Sequence, residues 1–525
     1  MKPIARVVRW AVLTLLLAAV LTVPALAVSS APYNGYNYDP YGNATAAPQG
    51  YVPDKTVDYR DMGLDKALNN PLDFCVYTDH EGVTSLWIAD TGNHRIIRLD
   101  ENYKLVAVYD SFRDADGKEW KLISPKSVYL KYNEALQADE IFVCTGGEGL
   151  NDKGKAIGPC HILTAKYDGV VVKRFDNPTD AVIQLDDFLP SAVVMDNSGY
   201  LYVHIESCTE GLVVLQYSDG AFMTYYGANK VVLNWQTSVQ QFWKKIFSRE
   251  ASVGMISLTP TEISGIFMDN DGFLYTTTSS TDMDKNLRVR KLNAFGDNVL
   301  NGDANALVSV IFGDRERKSA SSDTRMVDIH VDDDGVMACL DGERGRIYLY
   351  DSTCTLLTVF GFKTDGSGNT QMGATFEAIG VEKMGADYLI LDKKVGTIVS
   401  YKPTYYIEML QKANYYYLKG WYVEGEEAWR EVIKYNANFA RGYAAIGKSL
   451  LEQEKYEDAL FWLQEGQDRT SYSMAFTEFR REYLRNNLIW LLPVAIAVIV
   501  AFVLLIKLIQ KLLGVKRKKT NVDFK

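Results

Sequence analysis

The chain has 525 residues, a net charge of −10 and 12% aromatic residues, including 33 tyrosines. That length exceeds one ordinary hydrophobic core, so two or more domains are expected. The acidic balance argues against nucleic acid as a partner, because a polyphosphate repels a net anion.

The N-terminus reads as an export signal. Lys2, Arg6 and Arg9 precede an apolar core from Trp10 to Val20, and Ala25-Leu26-Ala27 has the small-residue pattern of a cleavage site. Residues 1–27 are therefore expected to be a signal peptide. Residues 28–53 mix Tyr with Pro, Gly, Asn and Ala and lack periodicity, which predicts a disordered linker.

From about residue 70 to 402 one pattern recurs, within a propeller domain expected at 54–403. Each unit has short apolar strands separated by turns that pair an acidic residue or Asn with Gly. Units start near Pro71, Pro125, Pro190, Ile263, Met326 and Phe376. Six units of this size predict a six-bladed β-propeller. The last unit lacks a fourth strand, and Lys55–Tyr59 are expected to supply it and close the ring. The acidic turns at Asn197-Ser198-Gly199, Asp269–Gly272 and Asp332–Gly335 read as turn chemistry, since none continues into a calcium loop.

The clearest hairpin is Leu86–Asp100, LWIADTGNHRIIRLD. Asp90 and Arg95 flank its turn at a spacing that Asp341 and Arg346 repeat, so both pairs are expected to brace a turn. This hairpin resembles the NHL repeat, and the resemblance extends over about two-thirds of the chain. It implies a propeller of the gluconolactonase-like superfamily, with the Asp and Arg as structural residues.

Residues 221–260 exceed the repeat. Trp235, Phe242, Trp243, Ile246 and Phe247 fall near helical spacing, which predicts an inserted amphipathic helix at about 230–250. Packing on the propeller, the bilayer or a partner are the options for its apolar face. From 404 to 486 the period turns helical, with Ala413, Tyr416, Ala428 and Val432, then Tyr443, Ile446, Gly447, Leu450, Ala459 and Leu463. The Gly447–Ala459 spacing resembles tetratricopeptide repeats, which implies a small TPR-like helical domain. Residues 487–513 contain the uncharged run Leu488–Ile506, long enough for a transmembrane helix. The basic tail 514–525 then predicts a cytoplasmic C-terminus and a type I topology. The fold class is thus mainly β: a six-bladed propeller, a helical domain and one membrane helix.

Six cysteines lack metal-ligand spacing. Cys144 with Cys160 and Cys339 with Cys354 each fall in one unit, so disulfides and buried free thiols both stay open. The five histidines show no common register. Zinc-binding His sets of the kind used by the amidated-peptide lyase are therefore not expected.

The mouth of the ring is expected to be lined by residues at the starts of the innermost strands. By this register they are Asn70, Asp73, Ser124, Lys126, Ser191, Glu262, Ser264, Arg325, Asp328, Thr375 and Glu377. Their mixed charge suits a small polar or sugar-like ligand. The leading expectation is a noncatalytic binding or assembly protein at the cell membrane, without a cofactor, that meets a protein partner in the membrane or envelope. The alternative is a lactonase-like hydrolase with a divalent metal on the axis, held by Glu262 and Glu377, as gluconolactonase resemblance implies.

Overall fold

The computed structural model describes residues 33–178, 188–206, 208, 210–227, 263–280, 287–300, 310–315, 323–364, 366 and 371–513. The expected signal peptide (1–27), the insertion helix near 230–250, Glu262 and the basic tail (514–525) lie outside these residues. Two compact units divide after Leu410.

The first unit is a six-bladed propeller of antiparallel sheets. Blade one comprises Asp73–Thr78, Thr84–Asp90, Arg95–Asp100 and Leu105–Tyr109. Blade two comprises Ser127–Asn133, Ala138–Thr145, His161–Lys166 and Val171–Phe175. Blade three comprises Pro190–Met195, Tyr200–Ile205, Leu212–Gln216 and Phe222–Tyr226. Blade four shows Ile263–Met268, Leu274–Thr278 and Val289–Leu292. Blade five comprises Met326–Val331, Met337–Asp341, Arg346–Tyr350 and Leu356–Phe360. Blade six comprises Ala378–Met384, Asp387–Asp392 and Thr397–Pro403, completed by Tyr51–Val57 from near the N-terminus.

Central strands are apolar on both faces because each sheet packs against a neighbour on either side. Leu86, Trp87, Ile88, Ile96 and Ile97 are all fully buried. The polar turns between strands follow one design. Asp79, Asp196, Asp269 and Asp332 each accept backbone N–H bonds from residues within their own turn. The glycines that follow, such as Gly82 and Gly199, adopt left-handed φ of 82° and 83°. These carboxylates therefore close turns.

Closure uses a strand slightly longer and earlier than Lys55–Tyr59. Tyr51–Val57 pair antiparallel with Thr397–Pro403, and Lys55, Thr56 and Val57 face Ser400, Val399 and Ile398. Tyr59 instead starts a one-turn helix, Tyr59–Met62, because Asp58 caps it and ends the strand.

The expected disordered linker is corrected from residue 33 onward. Gly35–Tyr38 and Ala44–Ala47 form a hairpin. Tyr36 and Tyr38 pack on the blade-five core. Asn37, 1% exposed, donates to the carbonyls of Leu356 and Leu357 at 3.1 and 2.6 Å. A four-residue strand is too short to register as periodicity, yet Tyr36 and Tyr38 supply enough ring surface to hold it down.

The blade-one hairpin is a junction between loops. Asp90 is fully buried and binds Arg95 Nε at 2.7 Å, Asn93 Nδ2 at 2.8 Å and the Asn69 N–H at 2.8 Å. Arg95 also reaches Asp65 at 2.8 Å. Gly92 lies so close to the Asn69 carbonyl that a Cβ would sit 2.6 Å from it. Thr91 donates to the Pro125 carbonyl of blade two at 2.7 Å. The second expected pair is corrected. Asp341 binds Arg344 at 3.0 Å, while the Arg346 guanidinium lies 3.5 Å from Asp314. Arg344 sits on the turn itself and reaches the carboxylate first. Asp341 still accepts the Arg325 N–H, and Asp392 in blade six accepts the Phe376 and Glu377 N–H groups in the same way. No disulfide joins any of the six cysteines.

α1 (Tyr405–Lys419) runs across the boundary at Leu410, and α2 (Tyr422–Tyr435), α3 (Ala440–Glu452), α4 (Tyr456–Glu465) and α5 (Arg469–Leu512) follow in the second unit. Each of α2 to α4 packs on the next helix. Gly447 permits the close approach of α3 and α4, since a Cβ there would lie 2.5 Å from Leu463 Cγ. α5 runs without a break through the expected boundary at 487. It contains a segment of mean hydropathy 3.1, long and apolar enough to cross a membrane.

Tyr51 is 1% exposed, stacks on Phe360 and meets Tyr388 edge to face. Tyr51→Ala is expected to cost about 3 kcal/mol through the cavity it leaves. A lowered melting temperature of the full chain in detergent checks this; an unchanged one contradicts the closure role.

Candidate functional site: the axial channel

The innermost strand of every blade borders one cavity of about 1120 Å³ on the propeller axis. Of the residues anticipated from the sequence, Asp73, Lys126 and Asp328 line it, together with Ser191 and Ser264. Asn70, Ser124, Arg325, Thr375 and Glu377 do not. The inner strands of blades five and six begin at Met326 and Ala378. Arg325, Thr375 and Glu377 therefore fall in the crossing loops. Glu377 there meets Lys393 at 3.3 Å, and Thr375 sits in a short parallel ribbon with Lys363.

Four inner strands enter the channel through a β-bulge. The register shifts at Ser191, Ser264, Val327 and Ile379, and each of these residues borders the cavity. A bulge leaves one residue unpaired and re-aims its side chain.

Two carboxylates lie deep in the channel and stitch blades together. Asp73 accepts the Val128 N–H of blade two at 3.0 Å, and Asp328 accepts the Val381 N–H of blade six at 2.8 Å. Neither has a Lys or Arg in ion-pair range among the described residues. Burial, with repulsion from Asp328 and Glu382, pushes Asp73 well above the usual carboxylate range. Burial and repulsion from Glu382 push Asp328 up to about 7.

Several ion pairs also border the channel. Lys126 meets Glu206 at 2.8 Å, Lys383 meets Asp332 at 2.7 Å, and His330 Nδ1 meets Glu382 at 2.8 Å. Lys131 donates to the Met195 carbonyl and to Asn197 Oδ1. Ser191 Oγ lies 2.7 Å from His204 Nδ1.

Sequence reasoning missed Lys131, His204, Glu206, His330, Glu382 and Lys383, all of which line the channel. A signal was present in Asp328-Ile329-His330-Val331-Asp332, where polar residues alternate along a strand. Among the described residues, no group of three or more His, Cys, Asp or Glu is arranged to hold a metal ion.

No protein-family model matches the chain, and no curated protein sequence matches it. Solved structures share its outline at low identity. A streptogramin B lyase is 10% identical over 67% of this chain and 98% of its own, with a TM-score of 0.36. A structural genomics protein of unknown function from Bacteroides thetaiotaomicron is 11% identical over 70% and 75%, with a TM-score of 0.37. A calcium-binding protein, regucalcin, from Agrobacterium tumefaciens is 10% identical over 68% and 95%, with a TM-score of 0.35. Likenesses of this size assign no activity, and the propeller rests on its own sheet topology.

Asp328 releases its proton near pH 7, whereas an unfolded Asp does so near about 3.9. The folded state therefore binds more protons between those values, and this group's contribution to stability falls as pH rises through that window. Asp328→Asn removes that penalty. The expected gain is about 2 kcal/mol at pH 8, taken as half the full linkage value because Asp328 is only partly buried, and smaller at pH 5. Melting temperatures at the two pH values check this; equal shifts at both contradict it.

Proposed function

We propose that the protein is a membrane-anchored extracytoplasmic binding module whose axial channel holds a small polar or sugar-like ligand. One observation carries this reading: all six blades converge on a channel whose polar groups are hydrogen-bonded in place around a ligand-sized volume. Lys126, Glu206, Asp73 and Asp328 would supply donors and acceptors to hydroxyl groups. The apolar residues beside them, such as Phe267 and Tyr275, would cover the faces of a ring.

The C-terminal helix α5 supports the membrane anchor. A type I orientation follows from the basic residues after the apolar run and from the N-terminal signal pattern. The helical unit, TPR-like in its Gly447 and Ala459 spacing, would meet a protein partner in the membrane or envelope. The metal-dependent hydrolase has no ligand set among the described residues to favour it.

The test uses the full chain in detergent with a panel of neutral sugars, sugar acids and amino sugars. A bound class stabilises the fold by about 2.7 kcal/mol at a hundredfold excess over Kd. Lys126→Ala is expected to weaken binding about tenfold, or 1.4 kcal/mol. No stabilisation by any class at millimolar concentration overturns the reading.

A further inference from the structure

Blade three carries a feature that ligand binding does not require. Ser191 occupies the bulge at the start of its inner strand, and its Oγ lies 2.7 Å from Nδ1 of His204 on the next strand. Both side chains are half-buried and border the channel.

A structural explanation would be that this hydrogen bond secures the bulge. Three other blades test that explanation within the same molecule. After their bulges, Gly265, Asp328 and Gly380 pair with Thr277, Leu340 and Leu391, where Ala192 pairs with His204. The bulge therefore forms with no imidazole in those three blades. Nor do Val327 and Ile379 supply a hydroxyl. The Ser–His contact is an addition to the bulge and not its cause.

Ser191 Oγ also reaches the His204 carbonyl at 3.3 Å, longer than its 2.7 Å contact with Nδ1. A serine hydroxyl that donates to Nδ1 leaves the ring proton on Nε2, so the imidazole is neutral and holds a lone pair toward the hydroxyl. Burial lowers the His204 pKa and keeps it in that form; Glu206 opposes the shift and Lys126 adds to it. Those two groups, 2.8 Å apart, border the same cavity.

We propose that Ser191 and His204 are a nucleophile and general-base pair that transfers the acyl group of a small carboxylic ester to water. Ser191 Oγ bonds to the carbonyl carbon as its proton passes to His204 Nδ1 and the carbonyl electron pair moves onto oxygen. Collapse of that intermediate breaks the ester C–O bond, and the leaving alkoxide takes the proton from His204. Water then attacks the acyl-serine carbon and gives a proton to His204. The Ser191 oxygen leaves, recovers that proton, and a carboxylic acid departs. Positioned general-base catalysis of this kind contributes 10²–10⁴-fold. Lys126 supplies positive charge at the cavity wall as the oxyanion develops.

This inference rests on the channel admitting small polar solutes. The test treats the full chain in detergent with diisopropyl fluorophosphate and with p-nitrophenyl acetate, and maps attachment by mass spectrometry. Attachment to Ser191 is expected, with loss in Ser191→Ala and a decrease of at least about 100-fold in His204→Gln. His204→Gln retains a hydrogen-bond partner for the serine but no base. Ser473→Ala, on the exposed face of α5, is expected to react as the unaltered chain does. Should a variant fail to melt cooperatively, the mapped position in the unaltered chain decides. Attachment elsewhere, or none, overturns the pair. Stabilisation by polar solutes without attachment overturns it and leaves the binding reading intact. Attachment to Ser191 without stabilisation by any solute supports the pair and removes that reading.

Discussion

A ring of sheets has a seam, and its two ends must be joined by a chain that has already gone once around. Here Tyr51–Val57 lies beside Thr397–Pro403, joining segments almost 350 residues apart in antiparallel register. The pairing consumes the N–H and C=O groups that would otherwise form an open edge. Tyr51 locks it by stacking on Phe360 of blade five and meeting Tyr388 of blade six edge to face. The hairpin at residues 35–47 extends the same grip, with Asn37 bonded to blade five. The axial channel exists because this seam closes; an open arc of blades has no axis.

Inside the ring, carboxylates join neighbouring blades. Asp73 and Asp328 each reach across to a backbone N–H of the following blade. Asp90, Asp341 and Asp392 do similar work at the strand ends, binding the N–H groups that lead into their own blades. A carboxylate bonded to backbone amides is well satisfied, but Asp73, Asp328 and Glu382 also repel one another in the channel. The raised pKa values of Asp73 and Asp328 express that repulsion together with burial. The channel is thus structurally braced by groups whose charge responds to pH.

The bulged inner strands explain why side chains at the start of a blade differ in role. In blades three to six one extra residue shifts the register and aims a side chain at the axis. Blades one and two pair without that shift, and the first charged residues they present to the channel are Asp73 and Lys126. Only Ser191 among the four bulge residues meets an imidazole. Local backbone geometry is shared, while the chemistry is confined to one blade.

Much of the architecture was legible because its causes are local. Turn glycines, alternating apolar strands and a long uncharged run act within a few residues, so six blades, the helical segment and the final apolar helix could be read in order. The buried Asp90–Arg95 pair was legible for the same reason. Arg344 took the place of Arg346 at Asp341 because two arginines compete for one carboxylate, and only their positions in space decide. The hairpin at 35–47 was hidden because its strands are stable only against blade five. The channel was half legible: Asp73, Lys126 and Asp328 lie on strands whose starts the pattern marks. His204, His330 and Glu382 come from the register of pairing and from blades far apart in sequence. Sequence alone therefore determined the blades and the helices, since those depend on neighbouring residues. Tertiary structure alone decided which side chains share the axis, because ring closure brings together groups that no local spacing relates.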